Sequence, residues 1–187
     1  MLMDEATRTR ISKFLSKHLR HAPEDLGISL ASGGWVAVEE LLTACARHNF
    51  PITREQLHEV VTTNNKQRFA FDATGTQIRA NQGHSVAVDL QLAPATPPPV
   101  LYHGTSATAL AAIKVSGLQK MARHQVHLSA DITTAQIVGR RHGAPVVLAI
   151  DTVAMQRAGY TFYQAANGVW LVADVPPQYF KIVDVIN

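Results

Sequence analysis

The stretch Leu-Ala-Pro-Ala-Thr-Pro-Pro-Pro, residues 92–99, limits what this chain can fold into more than any other. Proline fixes φ and lacks the backbone donor, so such a run joins neither a helix nor a central strand. It predicts an extended, stiff linker. The chain is thereby divided near its middle into a lobe over 1–91 and a lobe over 100–187, with no internal repeat across the divide. Each half is long enough to bury a modest core.

The first half reads as helices followed by a hairpin. Ile11, Phe14, Leu15 and Leu19 form one apolar stripe on a helix from Glu5 to Arg20, with Lys13, Lys17 and Arg20 on another face. His21-Ala22-Pro23 ends it. A second helix is predicted from Val38 to Arg47. Thr53-Arg54-Glu55-Gln56 is a capping box opening a third, with Leu57, Val60 and Val61 inward. Phe69-Ala70-Phe71 and Gln77-Ile78-Arg79, split by Thr74-Gly75, read as a β-hairpin. Three helices and a hairpin make a winged-helix pattern, which serves nucleic acid or protein partners.

The second half alternates short strands and helices. Strands are predicted at Val100–Tyr102, Val126–Leu128, Val146–Ile150, Val169–Val172 and Phe180–Val185, with Asn167-Gly168 as a turn. Helices fit Ala107–Val115, closed by Gly117, and Ile132–Arg141, closed by Gly143. The fold class that follows is α+β, mixed and mostly antiparallel in the second lobe.

Composition excludes several classes. Apolar and charged fractions of 47% and 17% are those of an ordinary globular protein. The start carries no signal-peptide core, and the longest apolar run, Val146–Ile150, falls far short of the ~20 residues of a membrane span. Cys45 stands alone, so no internal disulfide or thiolate cluster forms and a reducing, cytoplasmic location is expected. No histidine pair sits at helical spacing beside a carboxylate, so no metal site is predicted. The net charge is only +3, but Arg8, Arg10, Lys13, Lys17 and Arg20 share one segment. Acidic residues are also sparse after the middle of the chain. Both facts suit a polyanionic partner, as they suit a solvated basic face.

Tyr102-His103-Gly104-Thr105-Ser106 gathers the local chemistry. A strand stopping at His-Gly-Thr presents an imidazole, a hydroxyl and a backbone without Cβ, a corner for a flat polar ligand. Thr105 or Ser106 is available as the next N-cap.

Six stretches then occur in register: Leu19-Arg20-His21, Asn64 to Phe69, Asn81-Gln82-Gly83-His84-Ser85, Tyr102 to Thr105, Arg123 to Ser129, and Asn167 to Leu171. In order and spacing they resemble the NAD-dependent RNA 2′-phosphotransferases over nearly the whole chain. The resemblance implies a winged-helix RNA lobe joined to a lobe with the ADP-ribosyltransferase fold. It implies removal of an internal RNA 2′-phosphate, typically at a ligated tRNA splice junction, with NAD consumed. The phosphate attacks the anomeric carbon of the nicotinamide ribose. The 2″-hydroxyl then attacks phosphorus, releasing 2′-OH RNA and ADP-ribose 1″,2″-cyclic phosphate.

By the same resemblance the catalytic set falls on Arg20, His21, Arg68 and Arg123. Guanidinium forks suit a dianionic phosphate, and His21 suits the proton transfers of the second step. His103 is expected on a ribose hydroxyl, Gly104 on the nicotinamide amide, Thr105 behind the turn and His127 against the nicotinamide. Val169 stands where protein-modifying relatives carry glutamate. Ser129 and Arg141 are diphosphate candidates; Lys17, Lys66, Gln82 and His84 are assigned to the RNA side or between lobes. Individually, Arg20 also reads as a helix C-terminal cation, His127 as a strand histidine, and Trp35 and Trp170 as core. His124 and a short wing depart from the pattern. A monomer is expected. Two other readings are open: an ADP-ribosyltransferase leaving its product on terminal phosphates of RNA or DNA, and a non-catalytic winged-helix protein in which His103 and the three arginines are incidental.

Overall fold

Asp4 starts the first helix. Its carboxylate accepts the Thr7 N–H at 2.8 Å, satisfying a donor that every helix start leaves bare, and α1 runs Glu5–Arg20. Ile11, Leu15 and Leu19 are buried along one stripe, and Phe14 stacks on Phe50 with ring centroids 3.9 Å apart. This computed structural model describes residues 3–183, and the chain falls into two units, 1–91 and 92–187.

In the first unit α2 spans Val38–Arg47 and α3 spans Arg54–Thr62. The capping box is formed in both directions: Gln56 N–H donates to Thr53 Oγ1 at 3.2 Å, and Thr53 N–H donates to Gln56 Oε1 at 3.0 Å. Strands β2 (Phe69–Phe71) and β3 (Gln77–Ala80) make the hairpin, and β1 (Val36–Ala37) adds on the far side of β3, giving the order β1-β3-β2. The Asp72 carboxylate closes the turn by accepting the N–H groups of Thr76 and Gln77. Leu15, Leu41, Leu57, Val60 and Ile78 form the core with Cys45, whose thiol burial pushes up to about 11.

In the second unit β4 (Val100–Ser106), β6 (Pro145–Asp151) and β9 (Phe180–Val183) form one antiparallel sheet in the order β4-β6-β9. Strands β5 (Val126–Leu128), β7 (Tyr163–Gln164) and β8 (Trp170–Val172) form another in the order β5-β8-β7. Tyr102 and Ser129 link the two sheets, exchanging both backbone hydrogen bonds at 2.8 and 2.7 Å. Helices α4 (Ala107–Ser116), α5 (Ile132–Gly139) and α6 (Thr152–Arg157) complete the unit. The described fold is thus mixed α/β, with six helices and small antiparallel sheets. No helix among the described residues is long and apolar enough to cross a membrane.

Several expectations are corrected. The strand expected to stop at Tyr102 continues through Ser106, paired residue for residue from Val100↔Asp151 to Ser106↔Pro145. His103, Gly104 and Thr105 are therefore strand residues, and Thr105 supports no turn. A long partner strand outweighs one glycine in the run. Gly104 is needed for a different close approach: a Cβ there would lie 1.7 Å from the Ala135 carbonyl oxygen of α5. Ser106 occupies the N-cap of α4 but bonds Thr108 Oγ1 rather than the helix backbone. Helix α5 ends at Gly139, and residues 140–142 follow as a 3₁₀ turn. The proline-rich stretch runs extended but packs on the second unit: Ala95 N–H donates to Phe162 O at 2.9 Å and Thr152 N–H to Pro99 O at 3.2 Å. Residues 184 and 185, expected in the last strand, lie outside the described residues.

Replacing Gly104 with alanine forces a methyl into backbone rather than into a yielding side chain. The Gly104→Ala chain is expected to lose about 3 kcal/mol or more of stability, beyond the ~1–3 kcal/mol of ordinary overpacking, as read by denaturant titration. A loss under ~1 kcal/mol would show that α5 does not rest on β4 in solution.

Candidate functional site

The end of α1 is tied back onto the hairpin. Arg20 is half-buried, its Nη2 donates to the Arg68 carbonyl at 3.4 Å, and its guanidinium lies 6.0 Å from the Phe69 ring centroid. The Arg20 carbonyl in turn accepts the Ser85 N–H at 2.9 Å. The Ser85 hydroxyl lies 2.9 Å from His21 Nδ1, which holds the exposed imidazole at the helix end. Arg68 precedes β2; its Nη1 donates to Asn64 Oδ1 at 3.2 Å, and its carbonyl also takes the Asn81 N–H at 2.8 Å. Thus Arg20 and Arg68, 48 residues apart, are brought together and line one groove, while His21 is fastened to Ser85 at the helix end.

Asn81 is buried, and its Nδ2 donates to the Gln67 carbonyl at 2.6 Å where Gln67 takes a φ of 40°. That bond steadies a left-handed backbone that glutamine adopts only at a cost. Ser85, Asn81 and Asn64 are thus part of the local machinery. Asn64, Asn81 and Ser85 all fall in motif stretches, but no spacing shows that 81–85 folds back on α1. Lys66 is exposed near Asn64, whereas Lys17 points elsewhere, paired with Asp25 at 2.7 Å. Gln82 is half-buried in the 81–85 turn. His84 is buried, 2% exposed, with Nε2 close to where a Cβ on Gly34 would lie.

A second cluster lies in the second unit. His103 Nδ1 is 3.0 Å from the His127 carbonyl oxygen. A carbonyl only accepts, so Nδ1 carries the proton and Nε2 of the neutral ring is an acceptor. Burial holds the His103 pKa below its ordinary value, the bond to the carbonyl opposes this, and Arg123 adds to it. His127 Nδ1 lies 3.0 Å from Arg123 Nη1, and a guanidinium only donates, so this nitrogen accepts. His127 therefore grips Arg123 with its ring and His103 with its backbone.

His103, Thr105, Ile113, Met121, Arg123 and His127 are among the residues lining a cavity of about 460 Å³. Gly104 lies between two of these lining residues along β4. The N–H and C=O of Tyr102 point away from β6 to meet Ser129, and alternation along a strand sends those of Gly104 off the same edge. A paired donor and acceptor at that edge suit a carboxamide. Ser129 and Val169 each lie one residue beyond the paired register of β5 and β8. Arg141 is exposed in the 3₁₀ turn after α5. Among the described residues no group of three or more His, Cys, Asp or Glu side chains could hold a metal.

Comparison with known proteins agrees in kind. A family model described as RNA 2′-phosphotransferase, Tpt1/KptA family, matches residues 6–174. A Trichormus variabilis protein named probable RNA 2′-phosphotransferase is 60% identical, over 97% of this chain and 100% of that one. A Streptomyces coelicolor protein of the same name is 54% identical over 96% and 97%, and one from Burkholderia pseudomallei 51% over 92% and 94%.

The histidines set an acid limit. His18 and His103 are both held below the ordinary 6.5, in each case first by burial. Unfolded, they take up protons around 6.5; folded, only at lower pH. The unfolded chain then binds more protons, and stability falls as pH falls. Their contribution is complete above 6.5 and is lost as pH drops through the folded values. The denaturation midpoint is expected to decline from pH 7 to 5, with a shallower decline in His103→Gln. An unchanged slope in that variant would contradict the assignment.

Proposed function

Since this chain belongs to the RNA 2′-phosphotransferase, Tpt1/KptA family and is a transferase, we propose that it moves an internal RNA 2′-phosphate onto NAD in two steps. The observation that carries this reading is the meeting of Arg20 and Arg68, each guanidinium aligned by an oxygen of a neutral group, next to His21 on its Ser85 hydroxyl. A phosphomonoester of nearly two negative charges is the ligand such an arrangement fits.

In the first step a 2′-phosphate oxygen attacks C1″ of the nicotinamide ribose, and the glycosidic bond breaks with its electron pair passing to the pyridinium nitrogen. The nucleophile is already an anion, so no base is required. In the second step the 2″-hydroxyl attacks phosphorus and gives up a proton, while the P–O2′ bond breaks and O2′ gains one. Arg20 and Arg68 hold the phosphoryl oxygens throughout, because a guanidinium keeps its charge, and Arg123 is assigned to catalysis from beside the His103 cavity. His21 handles a proton of the second step, its ring steadied by Ser85.

NAD fits the second cluster by its donor and acceptor pattern. Neutral His103 offers Nε2 to a ribose hydroxyl, and the Gly104 edge offers N–H and C=O to the nicotinamide amide. Thr105 and His127 wall the ring, and Val169 is assigned to the place where a carboxylate would repel an anionic nucleophile. Ser129 and Arg141 are assigned to the diphosphate; Lys66 and Gln82 to the RNA. Under this reading residues 1–91 are a winged-helix RNA lobe, supported by three helices and a three-stranded hairpin sheet. Residues 100–187 are an ADP-ribosyltransferase-like lobe, supported by the antiparallel sheets and the His-Gly-Thr strand. A ligated tRNA is the model substrate.

The test is a short RNA labelled in its 2′-phosphate, incubated with and without NAD. Label should leave as the cyclic ADP-ribose phosphate only when NAD is present; label retained on RNA as an ADP-ribosyl adduct would reject the second step. His21→Ala should let that adduct accumulate in a single turnover, with the second step slowed by roughly 10²–10⁴-fold. Equal slowing of both steps would make His21 a phosphate ligand only.

A further inference from the structure

Beyond the phosphate cluster the first unit carries a groove of about 710 Å³ between α1 and the segment that follows α3. The α1 wall is built from Thr9, Ser12, Ser16 and Arg20, spaced three or four apart and hence on one helix face. Lys13 flanks that face. The opposite wall is the loop carrying Asn64, Lys66 and Arg68. Ser12 Oγ accepts the Asn64 Nδ2–H at 3.2 Å, so the floor is a hydroxyl and an amide rather than carbon. Val60 is the one apolar branched side chain in the lining.

Charge along the groove has a direction. Arg8, Lys13, Arg20, Lys66 and Arg68 line it against one carboxylate, Glu5, at the end furthest from Arg20. Arg8, at that same end, leans on Glu59 at 3.4 Å. The positive potential therefore strengthens toward the residues that hold the phosphate. From Thr9 to Arg20 is 11 residues, about 17 Å of helix at ~1.5 Å each. A nucleic-acid strand advances about 3.4 Å per phosphate in a stacked helix, so several backbone phosphates fit along that length. Hydroxyl and amide groups at the floor can meet ribose 2′-hydroxyls, which RNA has and DNA lacks.

We propose that this groove carries the RNA strand leading away from the modified nucleotide, with Lys13 and Lys66 on its backbone phosphates. The proposal rests on the 2′-phosphotransferase reading and adds an extended substrate footprint within the first unit. It predicts that affinity depends on RNA length as well as on the 2′-phosphate.

Two labelled RNAs test it, a dinucleotide and a decanucleotide, each with one 2′-phosphate. Binding is measured by fluorescence anisotropy over a range of salt, without NAD. Wild-type protein should bind the decanucleotide more tightly, with a steeper salt dependence. Lys13→Ala should weaken decanucleotide binding roughly fivefold and lower the salt slope by about 0.7, the value for one phosphate of a single strand. Its effect on the dinucleotide should be under a third of that. Arg47→Ala, an exposed cation on α2 outside the groove, should change neither. Equal wild-type affinity for both RNAs, equal losses in Lys13→Ala, or an equal loss in Arg47→Ala would each overturn the groove. Wild-type turnover with NAD is scored separately. Length-dependent, Lys13-sensitive binding without turnover would uphold the groove and reject the two-step reaction.

Discussion

The pairing of β4 with β6 is the constraint on which the second unit depends. An unbroken antiparallel register fixes which side chains of β4 face the cavity and which backbone groups leave its far edge. His103 and Thr105 share one face by the two-residue period of a strand, and Gly104 faces α5. The Ala135 carbonyl against Gly104 then sets how far α5 can approach. The chemistry of the strand follows: an imidazole on the cavity face, and an amide pair on the edge beside it. No loop flexibility enters this account, since each group sits on a regular element and is positioned by its neighbours.

The first unit solves a different problem, the gathering of cations. Like charges repel, so Arg20 and Arg68 need compensation that does not neutralise them. Carbonyl and amide oxygens supply it: the Arg68 carbonyl to Arg20, and Asn64 Oδ1 to Arg68. Oxygens of neutral groups align a guanidinium while leaving its full charge for a ligand, which a carboxylate would not. Lys17 shows the contrast. Its ion pair with Asp25 is exposed, and such pairs contribute ~0–1 kcal/mol; it fastens the helix end and takes no part in the cluster.

Much of this was legible in the residues themselves. Helix α1 announced itself by Ile11, Leu15 and Leu19, and α3 by Thr53 and Gln56, because capping and periodicity are local effects. Strand β1 was not legible, since two residues carry no period. Nor was the continuation of β4, whose extent is decided by a partner some forty residues away rather than by its own composition. The packing of the proline run on Phe162 is a tertiary fact. In the candidate site, Arg20, His21, Arg68, Arg123 and His103 came from motif order. The contact of Ser85 with His21 and the protonated nitrogen of His103 came only from coordinates, because both depend on which backbone oxygen or hydroxyl happens to lie within reach.

The same β4 register governs how lineages of this protein can change in length. A single inserted residue between Val100 and His103 would swap the two faces of the strand's remainder. The imidazole would then be driven into the Ala135 carbonyl, and glycine would be left facing the cavity. A change in length outside the paired span leaves the facing of β4 intact.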